Sequence, residues 1–293
     1  MRMRIGFLGI GTMGAPLANN LRKAGYAVTA WNRSAARLAP LVEKGVSAAA
    51  TPRACAEGKD LVFTCLADER ALAAVLEGSE GALAGLRSGD LLVDTTTAGT
   101  RATRAVREQV ERRGAQFVAA PLLGSRPAAE KAQLVVVAGG PAAARERARP
   151  ALHAISARLF ELDDAVQAAL MKLVVNSVGG AMVTALAEAL ALGASGGLAL
   201  PAIIETLQAS SFHSPIYLMK GEQIVNGDYA PRFALALAEK DQRLAQEAAK
   251  DQGARLVVND AVRRVFGEAI EHGRGDKDMC AVAEVLLQQV KKK

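Results

Sequence analysis

The stretch "ALMKLVVN", residues 169–176, sets a lysine among apolar side chains. On a helix, positions 172, 176, 179 and 180 share one face. They are Lys172, Asn176, Gly179 and Gly180: an ammonium, an amide and two residues without side chains. Each glycine inside a helix costs about 1 kcal/mol relative to alanine, so the pair suggests space cleared against the backbone. An ammonium placed there either snorkels to water along its apolar stem or is held partly desolvated as a proton donor.

Far upstream, "GFLGIGTMGAPLANNL" runs Gly9-Ile10-Gly11-Thr12-Met13-Gly14, the spacing G-x-G-x-x-G between an apolar strand and a helix. In that context Gly9 allows a tight turn and Gly11 lets the backbone approach a pyrophosphate. Gly14 permits close packing of helix on strand, and the helix N-terminus faces the negative charge. A dinucleotide is implied. At the end of the second strand, where a carboxylate would hold both ribose hydroxyls of NAD, the chain has Asn32, Arg33 and Ser34. A guanidinium beside a hydroxyl holds a 2′-phosphate that a carboxylate would repel. NADP(H) is the expected cofactor; the competing reading is a solvated Arg33. A nicotinamide also gives Lys172 a task, because a proton donor is needed where a carbonyl oxygen becomes an alkoxide.

These groups need elements to position them. Up to about residue 162, short apolar runs ("RIGFLG", "AVTAW", "LVFTCL", "LLVDT", "QFVAA", "LVVVAG") alternate with amphipathic helical segments. That alternation predicts a parallel sheet covered on both faces. After "ARLFEL" the strand signal stops. Asp163 or Asp164 can cap a helix running to Gly193, ~30 residues or ~45 Å long, a length that suits a connector between domains. The rest is helical. The expected organisation is a doubly wound α/β domain over 1–162 and an all-α domain over 163–293, with the long helix at about 164–193.

Composition narrows the class. Of 293 residues, 51% are hydrophobic and only 4% aromatic, so the cores must be aliphatic. The net charge of +6 is too mild to indicate nucleic acid. The closing "KKK" reads as a solvated tail. Cys55, Cys65 and Cys280 show no metal-ligand spacing and fit free thiols in a reducing compartment; no metal is expected. The start mimics a secretory signal, but patterned glycines make a poor signal core. "LVVNSVGGAMVTALA" is shorter than the ~20 residues of a membrane span. A soluble cytoplasmic protein is expected.

With "GFLGIGTMG", "WNRS", "VDTTTAGT", "APLLGSRPAAEKAQL", "MKLVVNS" and "FALALAEKDQRLA" taken together, nearly the whole chain resembles the β-hydroxyacid dehydrogenase family, most closely its glyoxylate/succinic semialdehyde reductase branch. The resemblance implies a Rossmann domain joined by a long helix to an α-helical dimerising domain, assembled as a homodimer or homotetramer. It implies that Lys172 is the catalytic acid/base and that Asn176 orients the substrate. Thr96, Gly124 and Ser125 match segments that hold the substrate carboxylate. Leu66, Thr97 and Lys240 match cofactor contacts. The implied reaction is NADPH-dependent reduction of a small aldehyde acid, succinic semialdehyde or glyoxylate, to the hydroxy acid.

The chain departs from the family pattern. Val166 and Ala168 stand where glycines usually precede the lysine, Leu123 where serine is frequent, and Ala132 where glycine is frequent. Three alternatives stay open: dehydrogenation of 3-hydroxyisobutyrate or reduction of tartronate semialdehyde, imine reduction, and a non-enzymatic oligomerisation module. The last two usually accompany loss of the lysine.

Overall fold

A computed structural model describes residues 3–291. Met1 and Arg2, which open the signal-like start, and Lys292 and Lys293 of the terminal lysine run lie outside the described residues.

The strands are β1 (Arg4–Leu8), β2 (Ala27–Trp31), β3 (Ser47–Ala48), β4 (Leu61–Thr64), β5 (Leu91–Asp94), β6 (Gln116–Ala119), β7 (Leu122–Leu123), β8 (Leu134–Gly139) and β9 (Ser156–Leu162). They form one sheet in the order β3-β2-β1-β4-β5-β6-β8-β7, with β9 also beside β8. The order reverses between β1 and β4, the switch point at which doubly wound sheets bind ligands. Every residue of β4 and β5 is buried, as expected for strands covered on both faces.

One part of the sheet departs from the all-parallel expectation: β8 runs antiparallel to β6 and β7. A ten-residue connection, 124–133, holding the short helix Arg126–Glu130, separates β7 from β8, less than the dozen or more residues of a crossover back to the same end. The apolar run "LVVVAG" reveals burial but not direction. Ala132, in that connection, has φ 54° and is the non-glycine residue held in the left-handed region among the described residues. That conformation costs an L-residue roughly 1–2 kcal/mol, against about 0.5–1 kcal/mol for the greater freedom of glycine. Ala132→Gly is therefore expected to stabilise the protein by about 0.5–1 kcal/mol, read as a higher urea midpoint. An unchanged or lower midpoint would contradict this account.

The chain divides into two compact units, Met1–Lys172 and Leu173–Lys293. The division lies inside one continuous helix, Ala165–Ser195, later than the end of β9 where the strand signal stops. The first turns of this helix belong to the first unit because they pack on its sheet. A Cβ at Gly139 would lie 2.3 Å from the Asp164 carbonyl oxygen and 2.6 Å from the Ala168 methyl. Asp164 is the cap: its Oδ1 accepts from Val166 N–H (2.8 Å) and Gln167 N–H (3.0 Å). The helix passes Gly193, which is small because Ile203 packs on it (2.3 Å from a Cβ built there). The left-handed Gly197, φ 84°, follows the helix end.

This helix is long and apolar enough to cross a membrane by length and composition. In the second unit its Val183, Leu186, Ala187 and Leu190 are core residues, packed with Ile204, Phe266 and Val282. The same unit buries a charge pair, Lys220 Nζ to Asp278 Oδ1 at 2.6 Å.

Candidate functional site

In the first unit the glycine loop leaves β1 and enters the helix Gly14–Lys23. Gly9 takes φ 102°, and a Cβ there would meet the Cys65 carbonyl oxygen at 2.4 Å. At Gly14 a Cβ would meet the Gly9 carbonyl oxygen at 1.9 Å. The fold itself requires these two glycines. Around Gly11 no atom lies within 4 Å of an added Cβ, so the backbone there stands open to a ligand. Met13, the N-cap of the helix, gives no side-chain cap, and the first turn carries no acid. The residues present therefore fit a pyrophosphate, whose oxygens the helix N-terminus can receive.

Asn32 has a more specific place than its sequence position suggests. Its Oδ1 accepts from Ile10 N–H (2.9 Å) and its Nδ2 donates to the Ser34 carbonyl (2.9 Å). It ties the glycine loop to the end of β2. Arg33 and Ser34 are exposed beside it.

At the end of β5, Asp94 is buried and organises the "DTTT" segment. Thr64 Oγ1 donates to Asp94 Oδ1 (2.6 Å), and so does Thr96 N–H (2.9 Å). The Thr96 hydroxyl accepts from Leu66 N–H (3.1 Å), which aims its own hydrogen elsewhere. Leu66 and Thr96 are thus brought together, and Thr97 follows, partly buried. Gly124, φ 130°, has Leu134 Cδ2 where a Cβ would point (2.8 Å). Ser125 precedes the helix Arg126–Glu130 without spending its hydroxyl on a side-chain cap. Leu123, half-buried, packs against the same apolar core as Leu66 and Trp31.

Lys172 is 9% exposed, one helical turn before Asn176. In the second unit, Asn176 Nδ2 donates to Asp241 Oδ2 at 2.5 Å, which fixes the amide's orientation. Asp241 is itself buried, and its neighbour Lys240 places Nζ 3.2 Å from Asp241 Oδ1. Both lie on the helix Leu235–Gln252. Gln242 donates to the Asn176 backbone carbonyl (2.8 Å) and accepts from Asn259 Nδ2 (2.7 Å). A Cβ at Gly180 would meet Gln242 Nε2 at 2.5 Å, whereas Gly179 has open space. Of the two glycines that read as cleared ground, Gly180 makes room for Gln242 and Gly179 alone stays open. Asp94, Asp241 and Gln242 were missed by sequence reasoning; "EKDQ" offered acids and amides but no sign of their partner.

The thiols are not candidate nucleophiles. Burial pushes Cys65 up to about 11, relieved in part by the Thr95 hydroxyl and reinforced by the charge of Asp94. Cys55 is pushed up to about 12, again chiefly by burial. All three cysteines are unpaired.

A glycine turn at the switch point, with one glycine open to a phosphate, defines a dinucleotide-binding protein. Residues 4–169 match the NAD binding domain of 6-phosphogluconate dehydrogenase, and residues 167–286 match the family described as NAD-binding of NADP-dependent 3-hydroxyisobutyrate dehydrogenase. The chain belongs to the β-hydroxyacid dehydrogenase family and is an NAD(P)-binding oxidoreductase of that type. It is 34% identical to glyoxylate/succinic semialdehyde reductase 2, chloroplastic, of Arabidopsis thaliana, over 96% of this chain and 79% of that protein. It is 32% identical to 2-(hydroxymethyl)glutarate dehydrogenase of Eubacterium barkeri, over 98% of this chain and 95% of that one. In structure it resembles a 3-hydroxyisobutyrate dehydrogenase from Salmonella typhimurium, with TM-score 0.88 and 24% identity over 97% and 99% of the two chains.

Proposed function

We propose that this chain reduces a small aldehyde acid to the hydroxy acid with NADPH, Lys172 acting as general acid. The observation that carries this reading is the buried Lys172 one turn before Asn176, whose amide is held by Asp241. NADPH, held through its pyrophosphate by the glycine loop Gly9–Gly14, would supply the hydride. Lys172 donates its proton to the substrate oxygen as charge develops there, and the neutral amine takes the hydroxyl proton in the reverse direction. Asn176, whose Nδ2 donates to Asp241, orients the substrate. The Thr96 hydroxyl, the backbone at Gly124 and the Ser125 hydroxyl are suited to a carboxylate.

Succinic semialdehyde and glyoxylate are the leading substrates, on the likeness to the Arabidopsis reductase. Leu123 puts a hydrocarbon side chain beside that segment, which favours the longer of the two. The test compares succinic semialdehyde with butyraldehyde, similar in length without the carboxylate. Butyraldehyde is expected to lose at least about tenfold in kcat/KM, since a charge-assisted contact contributes about 1.5 kcal/mol or more. Equal efficiency would remove the carboxylate pocket from the account.

For the cofactor, NADPH is expected to be preferred to NADH, with Arg33→Asp lowering or reversing the preference by roughly 10- to 150-fold, about 1.5–3 kcal/mol. Equal kcat/KM for both cofactors in the parent protein would overturn the role given to Arg33. A homo-oligomer belongs to the same proposal. Met171, Val174, Val175 and Val178 expose one apolar stripe of the long helix, which light scattering of the purified protein tests.

A further inference from the structure

A cleft of about 470 Å³ opens in the first unit at the amino end of β2. Its walls carry Arg22 and Lys23 from the end of the helix Gly14–Lys23, and Lys44 from the turn before β3. No lining residue is acidic. Among the described residues the Arg22 side chain makes one hydrogen bond, from Nε to Asn19 Oδ1 at 3.3 Å. Among the described residues no carboxylate forms an ion pair with Arg22, Lys23 or Lys44, although ten other arginines are paired.

Cations at helix C-termini are ordinarily explained by the helix dipole. That explanation falls short in magnitude. The end of the helix Gly14–Lys23 carries a partial charge of about −0.5, which offsets only a small part of three full positive charges.

Neutral donors complete the wall. The Tyr26 phenol is half-buried, and its burial raises its pKa, so it stays protonated as a donor. The hydroxyls of Thr29 and Ser47 also line the cleft. Pairing of β2 with β3 begins only at Thr29 with Ser47, so the Ala27–Val28 end of β2 has no strand on that side. The glycines Gly25 and Gly45 leave open space where a Cβ would stand. The volume lies within the 300–1,000 Å³ typical of small-molecule sites and exceeds what a single phosphate fills.

We propose that this cleft is a second anion site, built for a small molecule bearing a diphosphate group. It lies at the end of β2 opposite Asn32, roughly 16 Å away along the strand at about 3.3 Å per residue. It is therefore distinct from the phosphate-binding turn at Gly9–Gly14.

The test is calorimetric titration of the whole protein, saturated with NADPH to block the dinucleotide site, at fixed ionic strength. Inorganic pyrophosphate and ADP are the two probes. Saturable binding of either is expected, and Lys23→Glu and Lys44→Glu are each expected to weaken it about tenfold or more. Both side chains are exposed, so the variants should fold, which the unliganded melting temperature and an unchanged basal turnover verify. Tighter binding of ADP supports the site with the nucleoside inside the cleft; equal binding supports it with the diphosphate as the whole determinant. Absence of saturable binding, or the same affinity in both variants as in the parent, overturns the proposal.

Discussion

Replacing Lys172 with alanine is expected to cut turnover by about 10²–10⁴, the range for losing a general acid. Cofactor affinity should change little, because the glycine loop, Asn32 and Arg33 are untouched. The expectation rests on a buried ammonium, 9% exposed, in a helix segment flanked by Leu173 and Ala169, both buried. Asn176→Ala should raise the apparent KM and lower turnover less, since it orients rather than transfers a proton. Steady-state kinetics and NADPH titration on the same preparations separate the two effects. Near-normal turnover in Lys172→Ala would return the lysine to a snorkelling role.

The second large effect concerns stability. Asp278 is fully buried and accepts from Lys220 Nζ (2.6 Å), Arg232 N–H (2.9 Å), Phe233 N–H (3.0 Å) and Cys280 N–H (3.1 Å). Asp278→Ala removes the counter-charge of Lys220, which keeps the neutral Gln223 Oε1 (3.1 Å) as acceptor, and strands three backbone donors; it is expected to cost about 3–5 kcal/mol. Urea unfolding at neutral pH measures it. Lys220→Met combined with Asp278→Leu should recover part of the loss, because the buried charge is gone but the backbone donors remain unsatisfied. A loss below about 1 kcal/mol in Asp278→Ala would contradict the assignment.

Acid gives an independent check. Burial opposes ionisation of Asp278, but the Lys220 charge and hydrogen bond and the Phe233 and Cys280 N–H groups outweigh it and hold its pKa below 3.8. A depressed carboxylate stabilises the fold fully above its unfolded pKa. Its contribution fades as pH falls below about 3.8 and through the lower folded value. The difference between parent and Asp278→Ala should therefore be constant at neutral pH and shrink in strong acid.

Local pattern carried much of this molecule. The triplet Gly9, Gly11, Gly14 was legible because a tight turn, a phosphate approach and a helix–strand contact each demand a missing side chain at a fixed spacing. The continuous apolar runs of β1, β4, β5, β6 and β8 were legible because both faces of those strands are covered. Lys172 stood out because an ammonium amid Leu, Val and Ala needs a reason. The long helix could be read from its uninterrupted apolar run and an aspartate cap.

Other features depend on partners far away in the chain, and only the tertiary structure decided them. Hydrophobicity does not encode strand direction, so the antiparallel setting of β8 came from the short β7–β8 connection. Gly180 and Gly193 looked like cleared space and a helix stop; both are occupied, by Gln242 and Ile203. Asp241 meets Asn176 across 65 residues, and Asp278 meets Lys220 across 58. Asn32 stands at the end of β2 by sequence, but its bond to Ile10 N–H of the glycine loop appears only in the fold. Residue type and spacing determined what chemistry was available, because covalent neighbours set local geometry. Which polar groups satisfy one another was decided by packing, because a buried donor or acceptor must find its partner wherever the fold brings one.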